Sequence, residues 1–276
     1  MVEQYMNAAV LEKPFSIAVK KVKKPAPQKD EVLIKVHCIG ICGSDVHYYE
    51  HGKIGRYVVE QPLILGHELA GEVVDVGEAV TNVTIGERVA VEPGVACGRC
   101  EYCKSGRYNL CPDVIFMATP PVDGAWAEFV TIRSDFVFPL PDGMSYEEGA
   151  LLEPLSVGLH AMKRGRILPS DRLLITGLGP IGLLAVQAAK LFGVNEIYAT
   201  DVVPFRRQLA EQLGVTKSFD PLSESIENSL AVATGSGVDA IIESSGNHKV
   251  ISDSVPLINR GGRMILVGLL QLSKFH

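Results

Sequence analysis

The spacing of apolar and polar residues changes between residues 140 and 170, and it predicts different structures on the two sides. Before this point, apolar residues form short runs interrupted by Gly, Pro and Asp. The clearest runs are E-V-L-I-K-V-H-C-I (31–39), G-E-V-V-D-V-G (71–77), R-V-A-V-E (88–92) and E-F-V-T-I (128–132). Runs of this length between marked turns are typical of strands. The first part is therefore expected to be an irregular β-rich domain.

Beyond residue 170, short apolar strands alternate with helical segments. The predicted strands are 172–176, 196–200, 217–219, 239–243 and 263–267, and the predicted helices include 181–192 and 205–213. Alternation of this kind favours a parallel sheet with helices on both faces. The predicted fold class is thus α/β, with a β-rich domain over 1–155 and a doubly wound parallel-sheet domain over 156–276.

A glycine-rich turn, G-L-G-P-I-G, joins the first of these strands to the first helix. Gly177 permits the tight turn, Gly179 lets the backbone approach a pyrophosphate, and Gly182 lets helix and strand pack closely. Pro180 and Ile181 open the helix, whose free N–H groups favour anions. The motif predicts a Rossmann-type dinucleotide site, and the alternative is a structural turn without a ligand.

Asp201 follows the second strand, at the distance from this turn that the motif expects. A carboxylate there accepts hydrogen bonds from the adenosine ribose hydroxyls and repels a 2′-phosphate, which favours NAD over NADP. Arg206 and Arg207 weaken this preference, because a nearby guanidinium can hold a 2′-phosphate or stack on adenine. The alternative for Asp201 is a helix-capping or turn residue.

Two groups of metal-ligand residues lie upstream. One short loop, C-G-R-C-E-Y-C-K-S-G-R-Y-N-L-C, holds four thiols whose spacing fits one tetrahedral zinc ion; they are Cys97, Cys100, Cys103 and Cys111. The second group is Cys42 in G-I-C-G-S-D-V-H, with His67 and Glu68 in L-G-H-E. Thiolate, imidazole and carboxylate together can bind zinc and leave a position open for water or substrate, which is typical of catalytic sites.

Composition narrows the class of protein. A chain of 276 residues is long enough for two domains. The net charge of −6 argues against a nucleic-acid partner, which usually meets a basic face. The N-terminus is too polar for a secretory signal, and no run of about 18 apolar residues occurs, so neither export nor a membrane partner is expected. The expected location is cytoplasmic, and the cysteines are not expected to form disulfides.

Four motifs together resemble the zinc-dependent medium-chain alcohol and polyol dehydrogenases: G-I-C-G-S-D-V-H-Y-Y, G-H-E-L-A-G-E-V-V-D-V-G, the four-cysteine loop and G-L-G-P-I-G. The resemblance covers essentially the whole chain. H-Y-Y-E-H-G-K-I-G-R-Y, N-L-C-P-D, F-M-A-T-P-P-V-D-G and L-L-E-P-L-S-V-G-L-H are similar to the sorbitol (L-iditol) and xylitol dehydrogenase branch. The implied fold is a GroES-like catalytic domain, with a structural zinc lobe at 94–113, followed by a Rossmann NAD-binding domain.

The same resemblance implies roles for further residues. Glu153 stands where alcohol dehydrogenases of this superfamily have a second zinc-ligand cysteine. It is expected close to the catalytic zinc, as a transient ligand or as a partner of the bound water; the alternative is a carboxylate near a helix N-terminus. Ser44 and His47 match proton-relay positions, and Ser44 and Glu153 are expected to contact substrate. Tyr48, Phe116 and Thr119 match the substrate pocket, and Val267, Gly268 and Leu269 match the nicotinamide contacts.

The implied activity is reversible oxidation of a secondary alcohol on a polyol to a ketose, with zinc as Lewis acid and NAD as hydride acceptor. The expected substrates are sorbitol, xylitol or L-iditol, and the full-length form is expected to be a dimer or tetramer. A full dinucleotide fold has six strands, so the last strand is expected to be missing here. Two alternatives stay open: a butanediol or threonine dehydrogenase of the same superfamily, or a non-catalytic zinc- and nucleotide-binding remnant.

Overall fold

A computed structural model describes residues 4–269 of the chain. The chain divides into two compact units, Met1–Glu153 and Pro154–His276. This division falls two residues before the predicted domain boundary at residue 155. Within the described residues, no helix is both long and apolar enough to cross a membrane.

The first unit is dominated by strands, because its sequence alternates short apolar runs with turns. Its helices are short: α1 (Gly43–His51), α2 (Glu101–Lys104) and α3 (Tyr146–Ala150). Single 3₁₀ turns cover Tyr108–Leu110 and Ser134–Phe136. The strands are β1 (Tyr5–Lys13), β2 (Ser16–Lys23), β3 (Glu31–Ile39), β4 (Lys53–Ile54), β5 (Tyr57–Val58), β6 (Leu63–Ile64), β7 (Leu69–Val76), β8 (Arg88–Val91), β9 (Gly94–Val95), β10 (Ile115–Phe116), β11 (Phe129–Arg133) and β12 (Val137–Pro139).

The central sheet of this unit has the order β11-β3-β7-β8-β12, and each neighbouring pair is antiparallel. β3 coincides with the predicted run 31–39. Its buried residues Val32 and Ile34 pack with Val73, Val89 and Val130 of neighbouring strands in one core. Two smaller antiparallel pairs, β4 with β5 and β9 with β10, and the sheet β2-β1-β6 complete the unit.

The pairing of β3 with β7 sets the positions of the candidate metal ligands. Ile39, the last residue of β3, lies opposite Leu69, the first residue of β7. Cys42 follows β3 and Glu68 directly precedes β7, so antiparallel pairing brings both segments to the same end of the sheet. The N–H of Gly40 donates to the Glu68 carbonyl (2.7 Å) and extends this pairing beyond the strands.

The second unit alternates strands and helices as predicted. Its helices are α4 (Leu152–Arg164), which begins just before the division, α5 (Pro180–Leu191), α6 (Pro204–Gln212), α7 (Ile226–Thr234) and α8 (His248–Ser254). A 3₁₀ turn covers Val255–Leu257. The strands are β13 (Arg172–Thr176), β14 (Glu196–Thr200), β15 (Lys217–Phe219), β16 (Val238–Glu243) and β17 (Ile258–Leu266).

The strands of this unit form one parallel sheet in the order β15-β14-β13-β16-β17. Along β13, Leu173 and Ile175 belong to one apolar cluster and Leu174 to another, because successive side chains point to opposite faces. Both faces are therefore covered, as is usual for parallel sheets. The predicted α/β class, with a β-rich domain followed by a parallel-sheet domain, is confirmed.

β17 begins at Ile258, five residues before the predicted start at residue 263. Gly261 and Gly262, which directly precede the predicted strand, form a bulge inside the observed one. Val238 pairs with Ile258, whereas Ala240 pairs with Arg263. Gly261 has a φ of +80°, which lets the extra residues fold out of the ladder without steric cost.

Candidate active site

Cys42, His67 and Glu68 lie close enough to share one metal ion, and we call them the mixed-ligand group. One ligand atom from each lies within 4.8 Å of the other two. Cys42 is the N-cap of α1, while His67 and Glu68 connect β6 to β7. A Cβ on Gly40 would lie 2.1 Å from Glu68 Oε2, so only glycine there leaves room for this carboxylate.

The buried Asp45 carboxylate holds the two ligand segments together, and sequence reasoning missed it. Its Oδ2 accepts the N–H of Cys42 (2.9 Å) and its Oδ1 accepts the N–H of Gly66 (2.9 Å). Oδ1 also faces His67 Nδ1 at 4.0 Å, and this nitrogen has no hydrogen-bond partner among the described residues. Histidines that bind a metal through one nitrogen usually turn the other towards a carboxylate. The sequence signal for this role was an aspartate three residues after Cys42, in C-G-S-D.

Burial favours the uncharged forms of all three ligands when no cation is nearby. It raises the pKa of Cys42 to about 11, with a smaller contribution from the Glu68 charge. It also raises the pKa of Glu68 and lowers that of His67. A bound cation reverses this preference for the two acids, because it stabilises thiolate and carboxylate directly.

The mixed-ligand group fits zinc. Ligand atoms around a tetrahedral zinc ion lie about 3.3 to 3.8 Å apart, given metal–ligand distances of about 2.0 to 2.3 Å. The separations in this group stay below 4.8 Å. The donors are one sulfur, one nitrogen and one oxygen, which suits a borderline-soft ion and leaves a fourth position for another ligand.

Glu153, at the start of α4, lies outside the mixed-ligand group, but it is close enough for the charge of Glu68 to affect its pKa. Burial raises the pKa of Glu153 to about 7, and the neighbouring carboxylates Glu68, Asp45 and Glu92 add to the shift. Glu92 is a further acidic residue that sequence reasoning missed. It accepts a hydrogen bond from the Tyr108 hydroxyl at 3.0 Å.

The other predicted pocket residues lie on α1 and on the segment after β9. Ser44 hydrogen-bonds the Cys42 side chain, and the Thr119 hydroxyl hydrogen-bonds Tyr48, which is buried. The ring of Phe116 meets the His67 ring edge-on, with centroids 5.4 Å apart. His47 does not belong to the mixed-ligand group; its ring lies 5.4 Å from that of His51.

The four predicted cysteines converge as a second metal-capable group, in which every ligand is a thiol. The Cys100 and Cys103 sulfurs lie 3.4 Å apart, and those of Cys97 and Cys103 lie 3.9 Å apart. The N–H of Cys97 donates to the sulfur of Cys111 at 3.4 Å. Four protein ligands close the coordination shell, so this group suits a structural ion.

The glycine-rich turn leaves open space at one of its three glycines. A Cβ on Gly177 would lie 2.8 Å from Ser245 N, and a Cβ on Gly182 would lie 1.9 Å from the Gly177 carbonyl oxygen. The chain's own packing therefore requires these two glycines. At Gly179 the backbone is extended (φ −67°), and apart from Gly179 itself and its two chain neighbours, no heavy atom of the described residues lies within 4 Å of a Cβ built there.

Gly179 is also the N-cap of α5, and Pro180 and Ile181 begin that helix. The first N–H groups of a helix have no acceptor within it, and the helix dipole favours negative charge at this end. The empty space beside Gly179 thus lies where a pyrophosphate would meet free backbone donors. The turn fits a dinucleotide.

Asp201 lies buried just beyond the carboxyl end of β14 and ties the glycine-rich turn to it. Its Oδ2 accepts the N–H of Leu178 (2.7 Å), and its Oδ1 accepts the N–H of Val203 (2.7 Å). The Arg206 guanidinium approaches Oδ2 at 3.7 Å, with about half of its side chain exposed. Each carboxylate oxygen has a second lone pair, so the turn contacts leave room for a ribose hydroxyl.

The predicted nicotinamide segment, Val267, Gly268 and Leu269, directly follows β17. Its first two N–H groups donate to the Glu243 carbonyl at 2.8 and 2.9 Å. Glu243 is fully buried, and its Oε1 accepts the N–H groups of Ser245 (2.8 Å) and Gly246 (3.0 Å). Sequence reasoning missed this carboxylate, whose signal was an acidic residue at the end of an apolar strand.

Comparison with known proteins agrees with this geometry. The alcohol dehydrogenase GroES-like domain matches residues 28–142, and the zinc-binding dehydrogenase domain matches residues 180–275. Sorbitol dehydrogenase of Bacillus subtilis is 49% identical over 269 residues, which cover 97% of this chain and 76% of that protein. The chain belongs to the zinc-binding dehydrogenase family.

Two further relatives are named after different substrates. D-xylulose reductase A of Aspergillus niger is 40% identical over 259 residues, covering 91% of this chain and 72% of that enzyme. The crystal structure of 2R,3R-butanediol dehydrogenase from Bacillus subtilis superposes with a TM-score of 0.87 at 35% identity, covering 98% of this chain and 80% of that one. The protein is an oxidoreductase, and zinc and NAD are typical cofactors of its family.

Proposed function

We propose that this zinc-binding dehydrogenase oxidises a secondary alcohol of sorbitol, xylitol or L-iditol to the ketose, reversibly, with NAD and zinc. The observation that carries the proposal is the mixed-ligand group, which offers three different ligand atoms within 4.8 Å and leaves a coordination position for an alcohol oxygen. The identities with sorbitol dehydrogenase and D-xylulose reductase support a polyol as the substrate class.

The residues around the metal site have separate proposed roles in metal binding and proton transfer. Cys42, His67 and Glu68 bind the metal ion, which supplies Lewis-acid polarisation of the alcohol oxygen when it is bound. Glu153, whose pKa burial raises to about 7, accepts the proton that leaves this oxygen. Ser44 Oγ passes the proton onward towards solvent.

Phe116, Tyr48 and Thr119 form the apolar and hydrogen-bonding wall against which the polyol lies. The Phe116 ring meets His67 edge-on, and the Tyr48 and Thr119 hydroxyls are joined by a hydrogen bond. A wall of this kind orients the substrate carbon and excludes water from the reacting atoms.

The second unit holds the hydride acceptor. We propose that the pyrophosphate of NAD occupies the open space at Gly179 and that Asp201 accepts a ribose hydroxyl. Arg206 covers the adenine, and residues 267–269 contact the nicotinamide amide. The buried Asp201 carboxylate supports NAD over NADP, because a 2′-phosphate beside it would bring a second negative charge close to the first.

The test is NADH formation, followed by absorbance, with the full chain loaded with zinc. We expect turnover of sorbitol and xylitol, loss of turnover with a chelator, and recovery on adding zinc. Butane-2,3-diol and threonine are the matched alternative substrates, and a higher kcat/KM for either would overturn the polyol assignment. A folded chain that binds zinc and NAD but turns over none of these alcohols would instead support the non-catalytic alternative.

A further inference from the structure

Residues 124–126 form a backbone clamp on the segment that leads into His67. The N–H of Gly124 donates to Ile64 O (2.7 Å), that of Ala125 to Gly66 O (2.8 Å) and that of Trp126 to Leu65 O (2.8 Å). Three successive bonds fix the backbone up to the residue before His67.

The Trp126 side chain extends this clamp to the second ligand segment. Its indole Nε1–H donates to the Gly40 carbonyl at 3.4 Å, two residues before Cys42. The same ring covers Gly66: a Cβ added there would lie 2.1 Å from Trp126 Cδ1. One half-buried side chain therefore touches both segments that carry the mixed-ligand group.

Gly66 is held in one backbone conformation by several contacts. Its φ is +88°, its N–H is held by Asp45, its carbonyl is held by the backbone clamp, and the indole lies against its Cα. The remainder of the ring packs against the apolar cluster of Leu11, Leu63, Leu65 and Tyr48. The ring thus links the metal ligands to Tyr48 in the proposed substrate wall.

We propose that Trp126 is a positioning residue for the mixed-ligand group and that its fluorescence reports whether this group holds its metal. The inference rests on the proposed function of that group as a zinc site. Trp126 touches neither the ion nor the substrate in this role. It acts by fixing Gly40 and Gly66, and through them Cys42 and His67.

The first experiment uses the native chain loaded with zinc, because the sequence contains a single tryptophan. Zinc is removed by a chelator while zinc release and tryptophan emission are recorded together. The release phase that belongs to the mixed-ligand group is the one absent from a Cys42→Ser chain. We expect the emission to change in that phase and to stay constant while the four-cysteine loop loses its ion. Constant emission through both phases would overturn the inference.

The second experiment compares variants. Trp126→Ala should speed zinc release from the mixed-ligand group by about 10-fold, the lower end of what losing an outer-sphere partner costs. Release from the four-cysteine loop should not change. Trp126→Phe keeps a ring against Gly66 without the indole N–H. Its rate of zinc release from the mixed-ligand group should lie between that of the native chain and that of Trp126→Ala. Leu174→Ala, which empties a buried position in β13 of the second unit, controls for general loss of packing and should alter neither phase.

The outcomes separate the two proposals. Equal acceleration of both phases in Trp126→Ala, or none in either, would overturn the positioning role while leaving the zinc site intact. If Trp126→Ala does not fold, the native emission record and Trp126→Phe decide the question. A native chain that takes up one zinc ion only, in the four-cysteine loop, would overturn the proposed function itself.

Discussion

Asp45 shows how a single carboxylate can organise a metal site without belonging to it. Its two oxygens accept backbone N–H groups from Cys42 and Gly66, which are far apart in sequence and adjacent in space. The chain contains 32 acidic residues, and the local signal for this one is limited to its position three residues after Cys42. Its role depends on the pairing of β3 with β7, so it follows from the fold and not from a motif.

Replacing Cys42 tests the mixed-ligand group most directly. Cys42→Ser exchanges a soft thiolate for a hydroxyl that stays protonated, so the group should lose its zinc and turnover should be abolished. Metal analysis should then give one zinc ion fewer per chain. Cys38→Ser is the matched control, since Cys38 lies nearby in β3 and outside both groups, and it should retain zinc and activity. Full zinc content in Cys42→Ser would contradict the assignment.

Glu153 should control the pH dependence of alcohol oxidation. The carboxyl must be deprotonated to accept a proton, so kcat/KM should rise with pH through its pKa. That limb should lie below 7, because a bound cation lowers the raised value. Glu153→Gln should remove the limb and lower kcat by about 100-fold or more. Glu92→Gln, a neighbouring carboxyl, should keep the limb; a profile unchanged in Glu153→Gln would exclude this role.

Asp201 should decide between the two dinucleotides. Asp201→Asn keeps the size of the side chain but removes the charge that repels a 2′-phosphate. The ratio of kcat/KM for NADP to that for NAD should rise by about 10-fold, which corresponds to a free-energy difference of about 1.4 kcal/mol. Asp253→Asn, which removes the exposed partner of Lys249 in α8, provides the control and should leave the ratio unchanged. An unaltered ratio in Asp201→Asn would remove Asp201 from this role.

At the scale of elements, the bulge in β17 joins a polar network at the amino end of the sheet. Asp239 Oδ2 accepts from the backbone N–H of Arg172 at 2.9 Å and from its Nε at 3.3 Å. Asn259, in the bulged part of β17, donates to Oδ1 at 3.1 Å. Burial acts to raise the pKa of Asp239, but these hydrogen bonds outweigh it and the pKa lies below its usual value.

This lowered pKa predicts acid sensitivity of the second unit. The unfolded chain takes up the proton at a higher pH than the folded one, so the stability from Asp239 is present above its unfolded pKa and is lost as pH falls through the folded value. Asp239→Asn should cost about 1 to 2 kcal/mol at neutral pH. Its Tm should also fall less than that of the parent between about pH 5 and about pH 3. Parallel Tm curves for the two proteins would contradict this.

The elements that could be predicted from sequence are those whose pattern is local. β13, β14 and β15 have the predicted bounds, because each is a short apolar run between clear breaks. α5 and α6 begin one residue before the prediction, at Pro180 and Pro204, since proline suits the first helical position. The predicted start of β17 was wrong, because a Gly-Gly pair favours a turn, and only the pairing with β16 shows that it lies within the strand.

At the scale of the whole molecule, each unit carries a different kind of ligand site. Both metal-capable groups lie in Met1–Glu153, and the glycine-rich turn lies in Pro154–His276. A ligand that binds only the folded form stabilises the unit that holds it. Zinc and NAD should therefore act on separate parts of the chain.

Hydrogen exchange can measure this division. Removing zinc should increase exchange in peptides of the first unit, with the largest change around 94–113, and should leave β13 to β16 protected. NAD at about 100 times its Kd should slow exchange in the second unit, by up to the equivalent of about 2.7 kcal/mol. Malate at the same concentration controls for nonspecific anion effects. Protection by NAD confined to the first unit would contradict the proposed cofactor site.

The family, the fold class and the chemical types of the ligands could be predicted because they are encoded in short motifs. The supporting residues could not. Asp45 and Trp126 act through contacts between segments distant in sequence, and each contact exists only once the strands have paired. Glu153 was named from resemblance alone; its raised pKa arises from burial and from three other carboxylates that folding brings near it.

The three glycines of the nucleotide turn should behave differently under mutational drift. Gly177 and Gly182 are required by the protein's own atoms, so a selection for folded protein alone would retain both. Gly179 faces open space with an ordinary extended backbone, and the same selection would let it drift to alanine or serine. Only a selection for turnover would hold it as glycine. Tolerance at this one position would therefore show whether a lineage still uses its cofactor.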